Sequence, residues 1–348
     1  MLEALASNAA NNPRALLALA QHFVAKGEST RALSLAIEAR KLAPSEPEIE
    51  LLAREVLSLN VPTWHFSIVR DKLRNAAFDS ALRRAIRPGM RVLDIGTGTG
   101  LLAMMAIRAG AAEVITCEMN PSVAHAARRI VAANGYADRI RIVCKHSTAL
   151  DLEIDLGGPV DVLVSETIGN NLIGEHVLPI MEEAPRFLRS GGRILPARGS
   201  VRVALASYES VGRMRMAVVD GFDLSPFNEL APPCLRIKRR DRGIALLSEP
   251  ADLLTFDFAS GGPFPAGRAF LSLTSQGAAS GVAQWVRLTV DADAEYENHP
   301  ATHAVTSNWA VLFYPFAEGL RCKAGDRIKV FGSHDRKSLR IWAEKHEK

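Results

Sequence analysis

The stretch from residue 90 to residue 118 constrains the fold of this 348-residue chain more than any other, because it has the pattern of one strand–helix–strand unit. An apolar run at 92–95 predicts a buried strand, and it leads into a glycine turn, Gly-Thr-Gly-Thr-Gly, at 96–100. A helical run at 101–108 and a short apolar strand at 114–117 follow. Such units bind nucleotide-like ligands at the carboxyl ends of their strands, so we expect a ligand of that kind here.

Two carboxylates accompany the glycine turn. Asp94 stands two residues before Gly96, where its carboxylate can engage an ammonium group, and Glu118 ends the second strand, where a carboxylate can accept from both hydroxyls of a ribose. Gly96 and Gly98 allow the backbone to approach a ligand without a Cβ in the way. A nicotinamide-binding fold is the alternative, but its turn reads Gly-x-Gly-x-x-Gly, whereas this turn reads Gly-x-Gly-x-Gly.

The motif V-L-D-I-G-T-G-T-G at 92–100 resembles the first motif of class I S-adenosylmethionine methyltransferases. The resemblance implies S-adenosylmethionine as the cofactor. Ser147 and Thr148 follow a predicted strand at 140–144, and the adenine lies at that position in this fold. The αβ alternation continues with helices predicted at 121–134 and 175–188 and strands at 160–165 and from 193. This alternation predicts a parallel sheet with crossover helices.

After residue 199 the pattern changes to short alternating segments separated by Gly, Pro and Asp turns, which predicts a mostly antiparallel β domain. Within it, the segment 208–233 has helical content and is a candidate arm. The fold class is therefore α/β, with a Rossmann-like sheet followed by a β-barrel-like domain. The predicted domains are a helical region at 1–60, a cofactor-binding domain at 61–198 and a substrate domain at 199–348.

A helix pair at 13–46 precedes these domains, turns at 27–29 and is followed by a third helix at 48–59. Its small and large apolar positions match those of a tetratricopeptide repeat; they are Leu16, Leu19, Ala20, Phe23, Ala32, Ala36 and Ala39. One such repeat cannot bury its own face, so we expect it to pack on the catalytic domain, on a second subunit or on another protein. A plain helical extension without a binding role is the alternative.

The segment 61–89 predicts a further helix that lies against the cofactor-binding fold. The apolar positions of its packed face are Val69, Leu73, Phe78 and Leu82. On this pattern alone, His65 and Arg74 are expected to be ordinary surface residues.

Composition and termini exclude several classes. The formal net charge of +4 is slight, and because no block of like charge occurs, we expect no direct nucleic-acid binding. The four cysteines lack metal-site spacing, and Cys117 and Cys144, at the ends of predicted buried strands, are interpreted as core residues. We therefore expect no metal site and a reducing, cytoplasmic location. The N-terminus lacks the pattern of a signal peptide, and no apolar run is long enough to span a membrane.

A loop with two carboxylates follows the predicted strand at 160–165. Glu166 and Glu175 frame a segment that contains two glycines, at the carboxyl end of the predicted sheet. A pair of carboxylates can hold a guanidinium through bidentate, charge-assisted hydrogen bonds. In the alternative interpretation, Glu166 only caps a strand and Glu175 lies in the first turn of a helix, where negative charge is favoured in any case.

This loop resembles that of the protein arginine methyltransferases, in which two glutamates in the pattern S-E-x8-E grip the substrate arginine. Glu166 and Glu175 have that spacing after Ser165. The resemblance covers residues 61 to about 345 and extends upstream, where His65 and Arg74 match a histidine and an arginine at the cofactor, the arginine meeting the methionine carboxylate. The forms V-P-x-W-H-F and L-I-G-E, with the helical front, are most similar to the branch with an N-terminal repeat region.

The chain departs from the family pattern in several places. The tyrosine-rich segment is missing, and Trp64 is the nearby aromatic that can partly replace it. Ile68 stands where many members have a methionine that crowds the active site, and Thr148 stands in place of the acid that contacts adenine. The late T-H-W loop reads Ser-Asn308-Trp309, so the resemblance implies a substrate contact for Trp309 but leaves the role of Asn308 open.

The expected activity is transfer of a methyl group from S-adenosylmethionine to a guanidinium nitrogen of arginine in a protein substrate. One alternative is a methyltransferase that acts on a small molecule or on another protein side chain, which the loss of the loop histidine at Asn308 allows. A second alternative is a binding module that uses the helical repeat as a scaffold. The resemblance implies a homodimer formed through the arm, while a single compact subunit that uses its N-terminal helices in place of a partner is the other possibility.

Overall fold

The computed structural model describes residues 11–237, 243–301, 307–317 and 319–345. The chain divides into two compact units. The first comprises Met1–Val69 and Ile86–Val160, and the second comprises Arg70–Ala85 and Asp161–Lys348. Within the described ranges, no helix combines the length and the apolar character that crossing a membrane requires.

The first unit begins with a helical region, in which the first helix starts at a capping residue that the sequence supplies. Its helices are α1 (Pro13–Ala25), α2 (Ser29–Leu42), α3 (Pro47–Ser58) and α4 (His65–Ile68). The side chain of Asn12 accepts the N–H of Ala15 at 3.2 Å and caps α1, and Pro13 occupies the first turn. Helices α1 to α3 share an apolar core in which Leu16, Ala20, Phe23 and the three alanines of α2 are buried, as the repeat-like pattern predicted.

The parallel strands of the first unit carry the glycine turn. They are β1 (Arg91–Ile95), β2 (Glu113–Cys117) and β3 (Ile140–Val143), connected by α6 (Leu101–Arg108) and α7 (Pro121–Ala133). The strands pair in parallel in the order β3-β2-β1, so the predicted strand–helix–strand unit is confirmed. Helix α2 packs on α7, and the side-chain amide of Asn120 donates to the carbonyl of Asn60 at 2.7 Å. The N-terminal helices therefore pack on the catalytic domain, which is one of the three placements expected from the sequence.

The second unit contains the helix predicted between 61 and 89, α5 (Lys72–Ala85). Its buried face has helical spacing and consists of Arg74, Ala77, Phe78, Ala81, Leu82 and Ala85. Leu73, expected on that face, is instead 58% exposed, because the buried stripe begins one residue later. The helix packs on strands of its own unit.

The second unit also holds the continuation of the αβ pattern, namely β4 (Val160–Ser165), α8 (Val177–Glu183) and β5 (Leu188–Leu195), with β4 and β5 side by side. The helix predicted at 175–188 is shorter on both sides. It begins only at Val177, because His176 has a φ of +63°, and it tightens into a 3₁₀ turn at Ala184–Phe187, where Pro185 has no backbone N–H to donate. Glu175 therefore lies outside the helix, and the interpretation that places it in a first helical turn is wrong.

The strands of the β domain predicted after residue 199 pair antiparallel in the part of the chain that the structure describes. One sheet has the order β10-β6-β13-β15-β9, with β11 on β6 and β14 on β13, and a second has the order β12-β16-β17. Their bounds are β6 (Arg198–Tyr208), β9 (Leu235–Ile237), β10 (Ile244–Leu246), β11 (Ala251–Asp257), β12 (Gly267–Thr274), β13 (Gly281–Asp291), β14 (Ala294–Glu297), β15 (Val311–Pro315), β16 (Arg327–His334) and β17 (Leu339–Lys345). Trp285 and Phe313, fully buried, lie in the core of the larger sheet.

The candidate arm at 208–233 contains two 3₁₀ helices, Glu209–Met214 and Ser225–Leu230, and a small hairpin of β7 (Val218–Val219) and β8 (Phe222–Asp223). Its predicted helical content is thus present as 3₁₀ turns. Several of its large apolar side chains are exposed, by 72% for Phe222 and for Leu230. The segment accordingly presents apolar surface that its own unit leaves uncovered.

Candidate functional site

The glycine turn adopts a backbone that glycine favours. Gly96, Gly98 and Gly100 have φ values of +91°, +51° and +80°. The N–H groups of Gly96 and Thr97 donate to the carbonyl of Cys117 at 3.1 and 3.0 Å, which fastens the turn to the end of β2. A Cβ on Gly100 would lie 3.2 Å from Val131 Cγ2, so this glycine also permits close packing.

Asp94 is fully buried at the end of β1, and only one of its two carboxylate oxygens is hydrogen-bonded. Oδ2 accepts the hydroxyl of Thr116 at 2.9 Å, while Oδ1 is buried and has no partner among the residues that the structure describes. Burial raises the pKa of Asp94 from 3.8 to about 7, and the charge of Glu118 adds to the effect. A buried carboxylate oxygen without a donor is suited to a cationic ligand, such as the α-ammonium group of S-adenosylmethionine.

Glu118 is half-buried directly after β2, and its carboxylate organises the mouth of the turn. Oε2 accepts the N–H of Gly98 at 3.1 Å, and Oε1 accepts the N–H of Asn120 at 2.9 Å. A carboxylate has capacity for further hydrogen bonds beyond these two. The position therefore fits an acceptor for the hydroxyls of a ribose, next to Asp94 on the neighbouring strand.

The other predicted cofactor residues of the first unit lie on two short segments. Ser147 is buried and Thr148 is exposed in a 3₁₀ turn after β3, where the Thr148 hydroxyl lies 2.8 Å from Nδ1 of His146. In α4, Nδ1–H of His65 donates to the carbonyl of Pro62 at 3.0 Å, and the indole of Trp64 stacks on the imidazole at 3.9 Å. Ile68, half-buried, closes that helix.

In the second unit, β4 runs into the carboxylate loop, residues 166–175. The loop folds back on itself, because the N–H of Leu172 donates to the carbonyl of Gly169 at 3.0 Å. Leu172 is fully buried with a φ of +71°, an unfavourable conformation for a leucine and one typical of functional sites. A Cβ on Gly169 would lie 3.7 Å from Oε1 of Glu175, so the exposed carboxylate of Glu175 lies against this glycine.

Glu166, at the start of the carboxylate loop, accepts a hydrogen bond from Nη1 of Arg74. The side chains of this ion pair are 7% and 4% exposed. Nε and Nη2 of Arg74 donate to Oδ1 of Asn75 at 3.2 and 2.8 Å. The expectation from pattern alone that Arg74 is a surface residue is therefore wrong, because these partners compensate the cost of burying its charge.

The Trp309 loop, residues 307–310, is hydrogen-bonded to the carboxylate loop. The N–H of Ala310 donates to Oδ1 of Asn170 at 2.6 Å, and the N–H of Trp309 donates to Oγ of Ser307 at 3.1 Å. Trp309 is 3% exposed, and its indole N–H has no hydrogen-bond partner within the described ranges. Asn308, between Ser307 and Trp309 in the sequence, is half-buried. The structure thus brings Trp309 and the residues after Glu166 into one hydrogen-bonded assembly.

Three residues of this assembly were not singled out by the sequence. Asp71 is buried and caps α5, since its Oδ1 accepts the N–H of Arg74 at 3.1 Å, and an aspartate just before a helical pattern is a usable signal. Asn170 lies inside the loop framed by the two glutamates. Tyr296 donates to Asp71 across 225 sequence positions, and no local pattern indicates such a pair.

The cysteines are free thiols, and they differ in exposure. Cys117 is buried, which raises the pKa of its thiol to about 12, as the core interpretation predicted. Cys144 is exposed, so that interpretation is wrong for it, since β3 ends one residue earlier, at Val143. No cluster of His, Cys, Asp or Glu in the described part of the chain has the arrangement of a metal site.

A glycine turn, a buried aspartate and a glutamate at the ends of adjacent parallel strands define a class I S-adenosylmethionine-dependent methyltransferase. The family model described as ribosomal protein L11 methyltransferase (PrmA) matches residues 79–197. An arginine N(omega)-methyltransferase from Streptomyces achromogenes subsp. streptozoticus is 38% identical over 319 residues, which cover 90% of this chain and 86% of that protein. The chain therefore belongs to the arginine N-methyltransferase family, and its cofactor is S-adenosylmethionine.

Two further similarities agree with this assignment. Protein arginine N-methyltransferase 7 from Drosophila grimshawi is 41% identical over 140 residues, which cover 38% of this chain and 20% of that protein. The match therefore spans only about a fifth of the length of that relative. The Trypanosoma brucei PRMT1 enzyme–prozyme complex with AdoHcy has a chain with a TM-score of 0.70 and 23% identity, covering 83% of this chain and 95% of that one. At this identity the similarity confirms the fold, a Rossmann-like sheet with a β domain.

Proposed function

We propose that this enzyme transfers the methyl group of S-adenosylmethionine to a guanidinium nitrogen of an arginine in a protein or peptide. The observation that carries the proposal is the ion pair between Glu166 and Arg74. The buried carboxylate that the family resemblance assigns to the substrate arginine already binds a guanidinium group of the protein itself. Its chemistry and surroundings are therefore suited to this functional group.

Glu166 and Glu175 both bind the substrate guanidinium in this proposal. A carboxylate can accept about four hydrogen bonds, so one carboxylate can bind both Arg74 and a substrate guanidinium. Glu175, exposed beside Gly169, offers a carboxylate that an incoming side chain can reach. Two carboxylates that bind two nitrogens of one guanidinium fix its plane and leave a third nitrogen as the methyl acceptor.

These carboxylates make the acceptor nitrogen more reactive. Arginine is protonated at neutral pH, so its nitrogens are weak nucleophiles. Glu166 and Glu175 draw the positive charge toward the nitrogens they hold, which increases the lone-pair character of the remaining one. They also lower the repulsion between a cationic acceptor and a cationic donor. Positioning of this kind contributes several kcal/mol (roughly 7–11 in the most favourable systems), and the proton can leave after transfer, so a strong base is not required.

On the cofactor side, we propose that Asp94 binds the ammonium group, Glu118 the ribose hydroxyls, and Gly96 and Gly98 the adjoining backbone. Ser147 and Thr148 are proposed at the adenine, and His65 and Arg74 at the methionine end. When bound, S-adenosylmethionine supplies the electrophilic methyl group of its sulfonium. Ile68, Asn308 and Trp309 are proposed to contact the substrate arginine. The buried Oδ1 of Asp94 is the strongest support for this arrangement, because it requires a donor from a ligand.

Methyl transfer from labelled S-adenosylmethionine to a glycine- and arginine-rich peptide tests the activity. The control is the same peptide with every arginine replaced by lysine. Label on the arginine peptide alone is the expected result. Label on neither peptide, with cofactor binding intact, would contradict the proposal and direct attention to another acceptor.

Free arginine is a second candidate substrate. The Streptomyces relative that matches 90% of this chain is named for arginine and not for protein arginine. The two candidates present the same guanidinium group to Glu166 and Glu175. Adding free L-arginine as a third acceptor in the same assay separates them, since methylarginine formed from the amino acid but not from the peptide assigns the free amino acid as substrate.

We further propose a homodimer in which the arm of one subunit binds the cofactor-binding fold of the other. The exposed apolar side chains of the arm support this, because contiguous apolar surface marks interaction sites; they are Val218, Val219, Phe222, Phe227 and Leu230. Sedimentation velocity should find a dimer that the double substitution F222E/L230E converts to monomer. The control F270E alters an apolar residue of the β domain that is 60% exposed, outside both the arm and the cofactor-binding fold, and should leave the dimer intact. A monomeric wild-type protein would instead favour the single compact subunit.

The N-terminal helices are proposed to form a tetratricopeptide-like unit, on the basis of the alanine positions of α2 that are buried between α1 and α3.

A cytoplasmic location is proposed because the cysteines are free thiols, as expected in a reducing compartment. Localisation of a tagged protein in fractionated cells tests this location.

A further inference from the structure

The hydroxyl of Tyr296 lies at the centre of a buried hydrogen-bonded network in the second unit. Tyr296, on β14, is 4% exposed, and its hydroxyl donates to the carboxylate of Asp71. The same hydroxyl is hydrogen-bonded to Oγ of Ser307 at 2.7 Å. Ser307 Oγ in turn accepts the N–H of Trp309 at 3.1 Å. One side of Tyr296 is therefore connected to the Trp309 loop.

The other side of Tyr296 is connected to Glu166. Asp71 accepts the backbone N–H of Arg74 through Oδ1 and the hydroxyl of Tyr296 through Oδ2. It thus fixes the first turn of α5, the turn from which the side chain of Arg74 extends to Glu166. Each of these four side chains is at least nine-tenths buried. The network runs without interruption from the Trp309 loop through Tyr296, Asp71 and Arg74 to the proposed substrate carboxylate.

Helix α5 has a second attachment, which lies at the opposite end. Nε and Nη2 of Arg84 donate to the two carboxylate oxygens of Asp291, each at 2.8 Å, and Asp291 ends β13. The helix is therefore held to the β13–β14 hairpin at both ends. Of the two attachments, the one made by Tyr296 is adjacent to Arg74. The ring of Tyr296 also contacts the ring of Trp309 edge to face, at 5.1 Å between centroids.

We propose that Tyr296 is a positioning residue for methyl transfer. Its hydroxyl holds the Trp309 loop and the first turn of α5 in one fixed arrangement, and through Arg74 it sets the orientation of the Glu166 carboxylate. The proposal rests on the proposed function, because Glu166 has this role only if it binds the substrate guanidinium. Small displacements of orienting groups reduce rates strongly, so loss of one hydroxyl should be visible in kcat.

The kinetic test compares Y296F with Y314F. Tyr314 is 6% exposed, and its hydroxyl is hydrogen-bonded to Cys234, so Y314F removes an equally buried hydroxyl outside the network. Y296F should lower kcat for the arginine acceptor about 10- to 100-fold with a smaller change in its KM, whereas Y314F should leave kcat within about twofold. Equal kcat values for the two variants would overturn the proposal. S307A, which removes only the loop side of the network, is the second variant if Y296F is too unstable to assay.

A double-mutant cycle tests the network without relying on activity. Y296F, R74Q and Y296F/R74Q are unfolded in urea, and their unfolding constants are compared with those of a Y314F and R74Q cycle. Residues coupled through one network give non-multiplicative effects, so the Tyr296 cycle should deviate by about threefold or more and the Tyr314 cycle should not. If the wild-type enzyme methylates no arginine acceptor, the proposed function fails on that result alone. Multiplicative effects of Y296F and R74Q would overturn the positioning role separately.

Discussion

Arg74 and Glu166, separated by 92 positions in the sequence, form a buried ion pair between the first turn of α5 and the start of the carboxylate loop. The pair joins a residue assigned to the cofactor with a residue assigned to the substrate.

Replacing Arg74 with glutamine should strongly destabilise the protein. The substitution leaves the Glu166 carboxylate buried without its cationic partner, and breaking a buried pair in this way costs about 3–5 kcal/mol. Urea unfolding of R74Q and wild type measures the difference. The matched control is R83Q on the same helix, where the Arg83–Asp79 pair is partly exposed and contributes less than about 1 kcal/mol. Equal losses for R74Q and R83Q would contradict the structural role of the buried pair.

Replacing Glu175 with glutamine should separate activity from stability. Glu175 is exposed, so E175Q should change the free energy of unfolding by no more than about 0.5 kcal/mol. Turnover of the arginine acceptor should nevertheless fall about 100-fold or more, because one of the two charges proposed to hold the guanidinium is lost. E183Q removes a partly exposed carboxylate on the following helix and should leave turnover unchanged. A variant E175Q that retains half of the wild-type turnover would contradict the assigned role.

Replacing Glu118 with alanine should weaken cofactor binding before it affects anything else. The variant loses the acceptors for the N–H groups of Gly98 and Asn120, and with them the proposed acceptors for the ribose hydroxyls. Hydrogen bonds to charged groups contribute about 1.5–3 kcal/mol each, so the Kd for S-adenosylmethionine should rise about tenfold or more. Isothermal titration calorimetry gives the Kd directly. E118Q retains one acceptor oxygen and should lie between wild type and E118A, and an unchanged Kd for E118A would count against the ribose assignment.

Local sequence patterns are sufficient to predict a site where its residues lie within one contiguous stretch of the chain. The glycine turn, Asp94 and Glu118 lie within one contiguous unit, so apolar periodicity and turn residues were enough to predict their arrangement. The burial of Arg74 and the pair of Tyr296 with Asp71 depend on contacts between distant segments, which periodicity does not encode. The helix start was misplaced at Glu175 because the left-handed conformation of His176 has no sequence signal. The domain boundaries at 60 and 198 stay predictions.

The buried carboxylate of Asp94 should make both stability and cofactor affinity depend on pH near 7. Its pKa is raised to about 7 from 3.8, so the folded state holds the proton more tightly than the unfolded state between these values. The free energy of unfolding of wild type relative to that of D94N should therefore decrease as pH rises from about 4 to 7, by up to about 1.4 kcal/mol per pH unit. Above about pH 7 the difference should stay constant.

Cofactor affinity should change in the opposite sense, because the proposed contact with the ammonium group of S-adenosylmethionine uses the ionised carboxylate of Asp94. As pH falls below about 7, the Kd of wild type should rise by up to about tenfold per pH unit, while the weaker binding of D94N should be nearly independent of pH over the same range. Calorimetric titrations of both proteins at about pH 5.5, 6.5 and 7.5 measure the effect. Parallel pH profiles for the two proteins would assign the ammonium contact to a group other than Asp94.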